Sequence, residues 1–238
     1  MTHAFQKTWI KFSRELVNKA FNNLLLPGVK HQQWPIQLAL ATQHHGIFNA
    51  FGIHPWFCEQ HNDTHFQQLR LLLKHAIAVG ECGLDFIPKR APASTQINFF
   101  QKHIDLADEL HLPMIIHSVK SADQVALQLR PYPELRGVIH GFSGSIQQAE
   151  RFIQMGFYIG IGTRLLHSHA KKVHALACSL PLSSLLLETD APDGLGPHQR
   201  NEPAQLLHVA QALATLRQQD LNAVLSICAK NTQELFQL

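Results

Sequence analysis

The sequence predicts an α/β protein whose core is a parallel β-sheet. Short, almost continuously apolar runs alternate along the chain with longer amphipathic segments, which is the rhythm of repeated βα units. The apolar runs lack the alternation of polar and apolar residues that marks a strand with one exposed face. On this periodicity alone, a closed TIM-type (β/α)8 barrel and a doubly wound open sheet are equally good interpretations.

Seven apolar runs are predicted as buried strands. They are Asn23–Leu26, Ile47–Gly52, Ala76–Val79, Pro113–Ile116, Gly137–Ile139, Phe157–Ile161 and Leu185–Leu187. Seven strands are one short of a closed eight-stranded barrel. The first barrel strand would have to lie at Met1–Phe5, so we expect it to be truncated or degenerate, if it is present.

The segments between these runs contain helix signals. Ser94 is predicted to cap a helix that ends before Pro113. Ser145 is predicted to open another helix, which Gly156 stops. Pro203 suits the first turn of a third helix, and a last helix is expected from Leu221 to about residue 236.

Length and composition favour one domain over residues 1–238 and exclude several classes of protein. A chain of 238 residues with 45% hydrophobic residues can build one large core, and it contains no repeat or linker-like stretch. We expect no membrane span, because no apolar run approaches the roughly 20 residues needed to cross a bilayer. We expect no secretory signal, because residues 1–15 carry charges and no apolar segment. Nothing in the sequence indicates an obligate protein partner. The formal charge of +3 permits an anionic substrate without demanding one.

The cysteines point to a reducing, cytoplasmic setting. No two of them form a C-x-x-C pair, so a zinc finger or a disulfide framework is not expected. The four positions are Cys58, Cys82, Cys178 and Cys228.

Polar residues with metal-binding chemistry follow five of the apolar runs. In a parallel α/β architecture the carboxyl ends of all strands lie at one mouth, so these side chains would share a pocket. Imidazoles and carboxylates together suit Zn²⁺, Mn²⁺ or a related divalent ion. The residues are His54, Glu81, His117, His140 and Asp190.

A structural interpretation of each residue competes with this one. The chain has 17 histidines, so any single one is more often a surface residue than a ligand, and Asp190 before Ala-Pro could be a turn residue. Glu81 is harder to explain in this way, because a carboxylate directly after an apolar strand needs a cation or a donor. The repetition at five strand ends makes the functional interpretation the stronger one.

Other catalytic motifs are not supported. The glycine- and serine-rich segment Gly141–Ser145 is neither a Walker loop nor a dinucleotide fingerprint. The segment His140–Gly144 does not have the G-x-S-x-G pattern of a nucleophile elbow.

As an ordered set, the motifs at these strand ends resemble the TatD family of metal-dependent hydrolases, which are amidohydrolase-like TIM barrels. The resemblance runs from about Leu24 to the C-terminus and favours the barrel over the open sheet. The matching segments are Gly52–Pro55, Val79–Asp85, Pro113–Ser118, Ile139–Ser145, Leu187–Asp193, Arg200–Pro203 and Asn231–Phe236.

The resemblance implies a site with two divalent ions, of Zn, Mg or Mn. Glu81 would bridge both ions, and His117 and His140 would hold one of them. Asp190 would ligate the other ion and act as the general base toward a metal-activated water. His54 and Arg200 would contact the substrate.

The chain departs from the family pattern at its start. In the family, the first barrel strand ends in Asp/Asn-x-His-x-His, which supplies two ligands to the ion shared by Glu81 and Asp190. Here the chain reads Met-Thr-His-Ala-Phe, so His3 is a weak candidate ligand and Phe5 stands in place of the second histidine. We expect the first metal site to be damaged and the second to keep its ligands.

The function implied by the resemblance is metal-dependent hydrolysis of phosphodiesters in DNA, as in a TatD-type deoxyribonuclease. One alternative is a catalytically impaired relative that keeps the barrel and a partial metal site. Another is a hydrolase of ester or amide bonds, because the same metal–water chemistry attacks carbonyl groups.

Overall fold

The computed structural model describes residues 23–195 and 199–238, and in them seven strands alternate with eight α-helices. The strands are β1 (Leu24–Gly28), β2 (Ile47–Phe51), β3 (Ala78–Asp85), β4 (Met114–Val119), β5 (Gly137–His140), β6 (Phe157–Ile161) and β7 (Leu185–Leu187). The helices are α1 (Trp34–Gln43), α2 (Asp63–Leu72), α3 (Ala93–Leu110), α4 (Ala122–Leu129), α5 (Ile146–Gln154), α6 (Lys171–Ser179), α7 (Gln205–Arg217) and α8 (Leu221–Phe236).

The sheet has the topology of a TIM-type barrel. The strands pair in chain order from β1 to β7, and each pair is parallel. A doubly wound sheet would reverse its strand order at a switch point, and this sheet does not. The described strands therefore form a curled half-barrel of the TIM type, which confirms the predicted fold class. The predicted strand at Met1–Phe5 lies outside the described residues.

Alternate residues of the same strands pack into two apolar clusters. On β4, Met114 and Ile116 belong to the larger cluster, which includes buried residues of the surrounding helices. Ile115, between them, belongs to a smaller cluster that contains Leu235 and Phe236 of α8. Both faces of the sheet are covered, as the continuous apolar runs predicted.

The helix signals were partly right. The Ser145 side chain accepts a hydrogen bond from the backbone N–H of Gln148 at the start of α5, and Gly156 (φ 86°) follows its end. The Ser94 cap is wrong, because Pro92 takes the N-cap position and α3 begins at Ala93. Pro203 lies in the turn before α7 rather than in its first helical turn.

In the described part of the chain, no helix combines the length and apolarity needed to cross a membrane.

Candidate metal centre

Three neighbouring strands carry Glu81, His117 and His140 to the carboxyl end of the sheet. In the parallel ladders, Gly83 of β3 lies beside His117 of β4, and His117 lies beside His140 of β5. The two histidines therefore lie side by side on neighbouring strands. Glu81 lies on β3, two residues before Gly83, which is the residue paired with His117. The sequence placed Glu81 and His117 after their strands, whereas the structure places them within longer strands.

A bulge in β3 sets the position of Glu81. Val79 pairs with Met114 and Cys82 with Ile116, so β3 contains one more residue than β4 over this stretch. Such an extra residue bends the strand and re-aims a side chain. Gly83 (φ 130°) allows the close approach, because a Cβ there would lie 2.1 Å from the backbone oxygen of His117.

The Glu81 carboxylate is the hub of the site. Its Oε1 atom lies 3.1 Å from Nδ1 of His117, 3.3 Å from Nε2 of His54 and 4.0 Å from Nε2 of His140. Three histidines from separate parts of the chain therefore converge on one oxygen atom of Glu81. Glu81 is buried, so its charge must be compensated by these neighbours.

In both His117 and His140, the ring nitrogen that faces away from Glu81 contacts a second carboxylate. Asp85 Oδ2 lies 3.3 Å from Nε2 of His117, and Glu188 Oε2 lies 2.9 Å from Nδ1 of His140. Glu188 also accepts a hydrogen bond from the backbone N–H of Gly141. A carboxylate partner of this kind fixes the ring and the tautomer of a metal-ligating histidine.

Sequence reasoning assigned no role to Asp85 or Glu188, although signals for both were present. Asp85 is four residues after Glu81 on one strand, and an even spacing tends to place side chains on the same face. Glu188 directly follows the apolar run that ends at Leu187. Both carboxylates were therefore visible as strand-end acids, but their histidine partners depend on the fold.

Hydrogen bonding distinguishes His54 from the other two imidazoles. The Nδ1 atom of His54 accepts a hydrogen bond from the backbone N–H of Trp56, so the proton of the neutral ring is on Nε2. This Nε2–H donates to Glu81. In His117 and His140, by contrast, both ring nitrogens face carboxylates. Nδ1 of His117 and Nε2 of His140 face Glu81, and the other nitrogen of each ring faces Asp85 or Glu188.

The pKa shifts follow from burial and from these contacts. Burial lowers the pKa of His54 more than Glu81 raises it, so neutral imidazole is favoured there. Burial alone would lower the pKa of His140, but Glu188 and Glu81 raise it well above the ordinary value. Burial alone would raise the pKa of Glu81, but attraction to His140 and His54 and a hydrogen bond from His117 hold it well below its usual range. The carboxylate is therefore ionised.

Asp190 joins this cluster through His140. Its Oδ1 atom lies 3.4 Å from His140 Nε2, and its side chain is 50% exposed. The backbone of Asp190 is left-handed (φ 60°), a conformation that Asp and Asn tolerate better than other residues with side chains. The buried Asn201 amide donates to the carbonyls of Thr189 and Asp193, which ties down the loop around Asp190.

The remaining predicted residues lie at the edge of the described site or beyond it. Arg200 is exposed and precedes Asn201, so it belongs to the segment that is bonded to the Asp190 loop. Its contact with substrate stays a prediction. His3 lies outside the described residues.

The donor set fits a divalent ion. Among the described residues, one atom each from His54, Glu81 and His117 lies within 4.8 Å of the others. Two imidazoles and a carboxylate are the ligand chemistry of catalytic zinc and related ions. Because His54 carries its proton on the atom that faces Glu81, we favour His140 over His54 as the second imidazole ligand. Its Nε2 atom lies 4.0 Å from the same glutamate.

Comparison with known proteins places the chain in a family. The model of the family described as TatD related DNase matches residues 3–237. The metal-dependent hydrolase YjjV of Escherichia coli (strain K12) is 36% identical over 222 residues, which cover 90% of this chain and 85% of that protein. The 3'-5' ssDNA/RNA exonuclease TatD of Erwinia amylovora is 30% identical, and the match covers 98% of this chain and 95% of that protein.

Solved structures agree with this result. The crystal structure of Escherichia coli YjjV, described as a TatD homologue, has a TM-score of 0.90 and 32% identity and covers 100% of this chain and 95% of that chain. A hydrolase of the TatD family from Entamoeba histolytica has a TM-score of 0.79 over 90% of this chain and 84% of that chain, and at 18% identity it supports the fold alone. The chain therefore belongs to the TatD family and is a metal-dependent hydrolase.

Proposed function

We propose that this hydrolase cleaves phosphodiester bonds of single-stranded nucleic acid, most directly DNA, at the cluster centred on Glu81. The observation that carries the proposal is the convergence of His117 and His140 on this buried carboxylate, with Asp190 against His140. Relatives that match nearly the whole chain are named 3'-5' ssDNA/RNA exonucleases, which supports a nucleic acid substrate.

Glu81, His117 and His140 would hold one divalent ion in this proposal. When bound, the ion would lower the pKa of a water molecule and offset the charge of a phosphodiester. Asp85 and Glu188 would keep the two imidazoles in the tautomers that leave a lone pair for the ion.

The family pattern implies a second ion, which Glu81 would share with Asp190. The weak candidate ligand His3 would have to complete that site. Metal analysis of the purified protein decides this point, because a complete pattern gives two ions per chain and a damaged first site gives one.

Asp190 would act as the general base. It is the most exposed member of the cluster, so water and substrate can reach its carboxylate. Its Oδ1 atom is close to His140 Nε2 and thus to the proposed ion. A carboxylate in this position can accept the proton of the attacking water.

His54 and Arg200 would bind the substrate. The Nε2–H of His54 donates to the anionic Glu81 oxygen in the described site, and it can donate in the same way to a phosphate oxygen. Arg200 would meet the negative charge of the substrate backbone from the Asp190 side.

A nuclease assay tests the proposal. Wild-type protein loaded with Mn²⁺ or Mg²⁺ is incubated with end-labelled single-stranded DNA, single-stranded RNA and a small carboxylic ester. We expect metal-dependent shortening of the nucleic acid and no activity in EDTA.

The Glu81→Gln variant, purified in parallel, controls for a contaminating nuclease. Cleavage that persists in this variant does not come from the proposed site. If the loaded wild-type protein hydrolyses the ester and leaves both nucleic acids intact, the proposed substrate is wrong.

A further inference from the structure

Trp56 is an exposed aromatic residue at the edge of the metal centre. It lies in the short 3-10 helix Pro55–Gln60, which begins directly after His54. Trp56 is 48% exposed. Its ring centroid lies 5.1 Å from that of His54 and 6.4 Å from that of His117. About half of this residue is therefore open to solvent beside the predicted metal ligands.

The indole is held in place by charged groups. Its Nε1–H donates to Asp85, whose side chain is fully buried and which also contacts His117. The Arg90 guanidinium lies over the ring, with Cζ 3.8 Å from the ring centroid. Arg90 Nε is 3.6 Å from the same Asp85 carboxylate. The Arg90 guanidinium is therefore stacked on the Trp56 indole, and Asp85 holds both groups in place.

The surface next to this pair combines apolar and basic side chains. Ile87 is 37% exposed, and Lys89 and Arg90 follow it in the exposed loop after β3. Proteins that bind single strands combine flat side chains, on which bases stack, with cations that follow the phosphate backbone. The loop after β3 offers both.

We propose that Trp56 and Arg90 form a stacking platform for an unpaired nucleobase next to the phosphodiester at the metal centre. The proposal rests on the proposed function and deepens it, because it makes an unstacked base part of what the site recognises. A paired base in a duplex is already stacked on its neighbours, so the platform favours single-stranded ends. A small ester or a phosphodiester without a base gains nothing from it.

Binding measurements test the platform apart from catalysis. In an Asp190→Asn background with Mg²⁺, a labelled single-stranded oligonucleotide is titrated with the protein and its anisotropy is followed. We expect Trp56→Ala to raise Kd by roughly 10-fold, because stacking on one aromatic side chain is worth about this factor per base. The same oligonucleotide with an abasic residue at its 3' end should bind to the parent protein about as weakly.

Two matched variants separate stacking from other effects. Trp56→Phe also loses the hydrogen bond to Asp85 but keeps a flat ring, so we expect it to bind more tightly than Trp56→Ala. Arg90→Lys keeps the charge but loses the planar group, and we expect weaker binding. Arg130→Lys, at an exposed position after α4, should change nothing. Circular dichroism checks that each variant is folded.

The outcomes decide the stacking proposal separately from the proposed function. Equal weakening in Trp56→Phe and Trp56→Ala would show that the bond to Asp85 matters and stacking does not, which overturns the platform. Equal affinity for the abasic and normal strands also overturns it. An oligonucleotide that binds through Trp56 but is not cleaved by the metal-loaded wild type supports the platform and refutes the nuclease. Cleavage by the metal-loaded wild type, together with oligonucleotide binding that Trp56→Ala does not weaken, supports the nuclease and refutes the platform.

Discussion

The two sides of Glu81 differ in their contact with solvent. On the β4 side, His117 is held by Asp85, whose side chain is fully buried. On the β5 side, His140 is held by Glu188, and Asp190 beyond it is 50% exposed. The same pair of groups, a carboxylate and an imidazole, is thus built twice, and the β5 side is the open one because it continues to an exposed carboxylate. We infer that the ion is held between the two sides and that the attacking water arrives from the open one.

Loss of the shared carboxylate should have the largest effect, because both sides depend on it. We expect Glu81→Gln to remove tight metal binding and to lower kcat/KM by more than about 10³-fold, since a neutral amide replaces a buried negative charge. Metal content by mass spectrometry and steady-state kinetics measure both. Glu150→Gln, at an exposed position on α5, is the control and should match the wild type.

A change on the open side should separate chemistry from metal binding. We expect Asp190→Asn to lower kcat by roughly 10²- to 10⁴-fold, because the amide cannot accept a proton from water. Asn tolerates the left-handed backbone of this position, so the fold should be kept. At least one ion per chain should still bind. Activity close to that of the wild type would mean that another group is the base.

Substitution of Asp85 and Glu188, the carboxylate partners of His117 and His140, compares the two sides directly. We expect Asp85→Asn and Glu188→Gln each to weaken metal affinity by roughly 10- to 100-fold, because each leaves an imidazole without its partner. Asp85→Asn should also lower the free energy of unfolding, since Asp85 is buried and bonded to Trp56 and Ile87 as well. Calorimetric titration with Mn²⁺ and chemical denaturation measure these effects. Equal losses of stability in both variants would contradict the contrast between the sides.

His54 should behave as a substrate contact rather than a ligand. We expect His54→Gln to raise KM for a single-stranded oligonucleotide by roughly 10-fold, since it loses a hydrogen bond to a charged group. Metal affinity should stay close to that of the wild type. His140→Gln, in contrast, should lose metal affinity, so the two variants together distinguish the two imidazoles.

The smallest effect concerns the buried support of the β2 loop. His103 is fully buried, accepts a hydrogen bond from the Ile53 N–H and donates one to the Phe99 carbonyl. Burial lowers its pKa from 6.5 to about 4. The unfolded chain therefore binds the proton first, and stability should fall by up to about 1.4 kcal/mol per pH unit as the pH drops from 6.5 to 4.

Denaturation in urea at several pH values isolates this contribution. His103→Gln should be less stable than the wild type at pH 7, and the difference should shrink toward pH 4. His208→Gln, on the exposed face of α7, is the matched control. A constant difference across this range would show that His103 does not titrate as expected.

Sequence periodicity predicted the order and position of the strands because each is a continuous apolar run. It did not predict the bulge at Gly80 and Glu81, which depends on how β3 pairs with β4. For the same reason Glu81 was expected after its strand rather than within it. A parallel ladder also lets β3 continue to Asp85, although the apolar run ends at Val79.

The site was predicted as a set of residue types and not as a network of contacts. Strand ends that carry His54, Glu81, His117, His140 and Asp190 indicated a shared pocket, and the structure brings these side chains into one connected cluster. Which nitrogen of each histidine is free depends on partners that are distant in sequence. The helix caps failed at Ser94 for a local reason, since Pro92 was available two residues earlier.

The position of the bound metal tests the account most directly. Anomalous diffraction from crystals of the Mn²⁺-loaded protein locates the ion without reference to activity. We expect a peak in coordination contact with Glu81, Nδ1 of His117 and Nε2 of His140. A peak bound to Nε2 of His54, or the lack of any peak beside Glu81 in fully loaded crystals, would contradict the account.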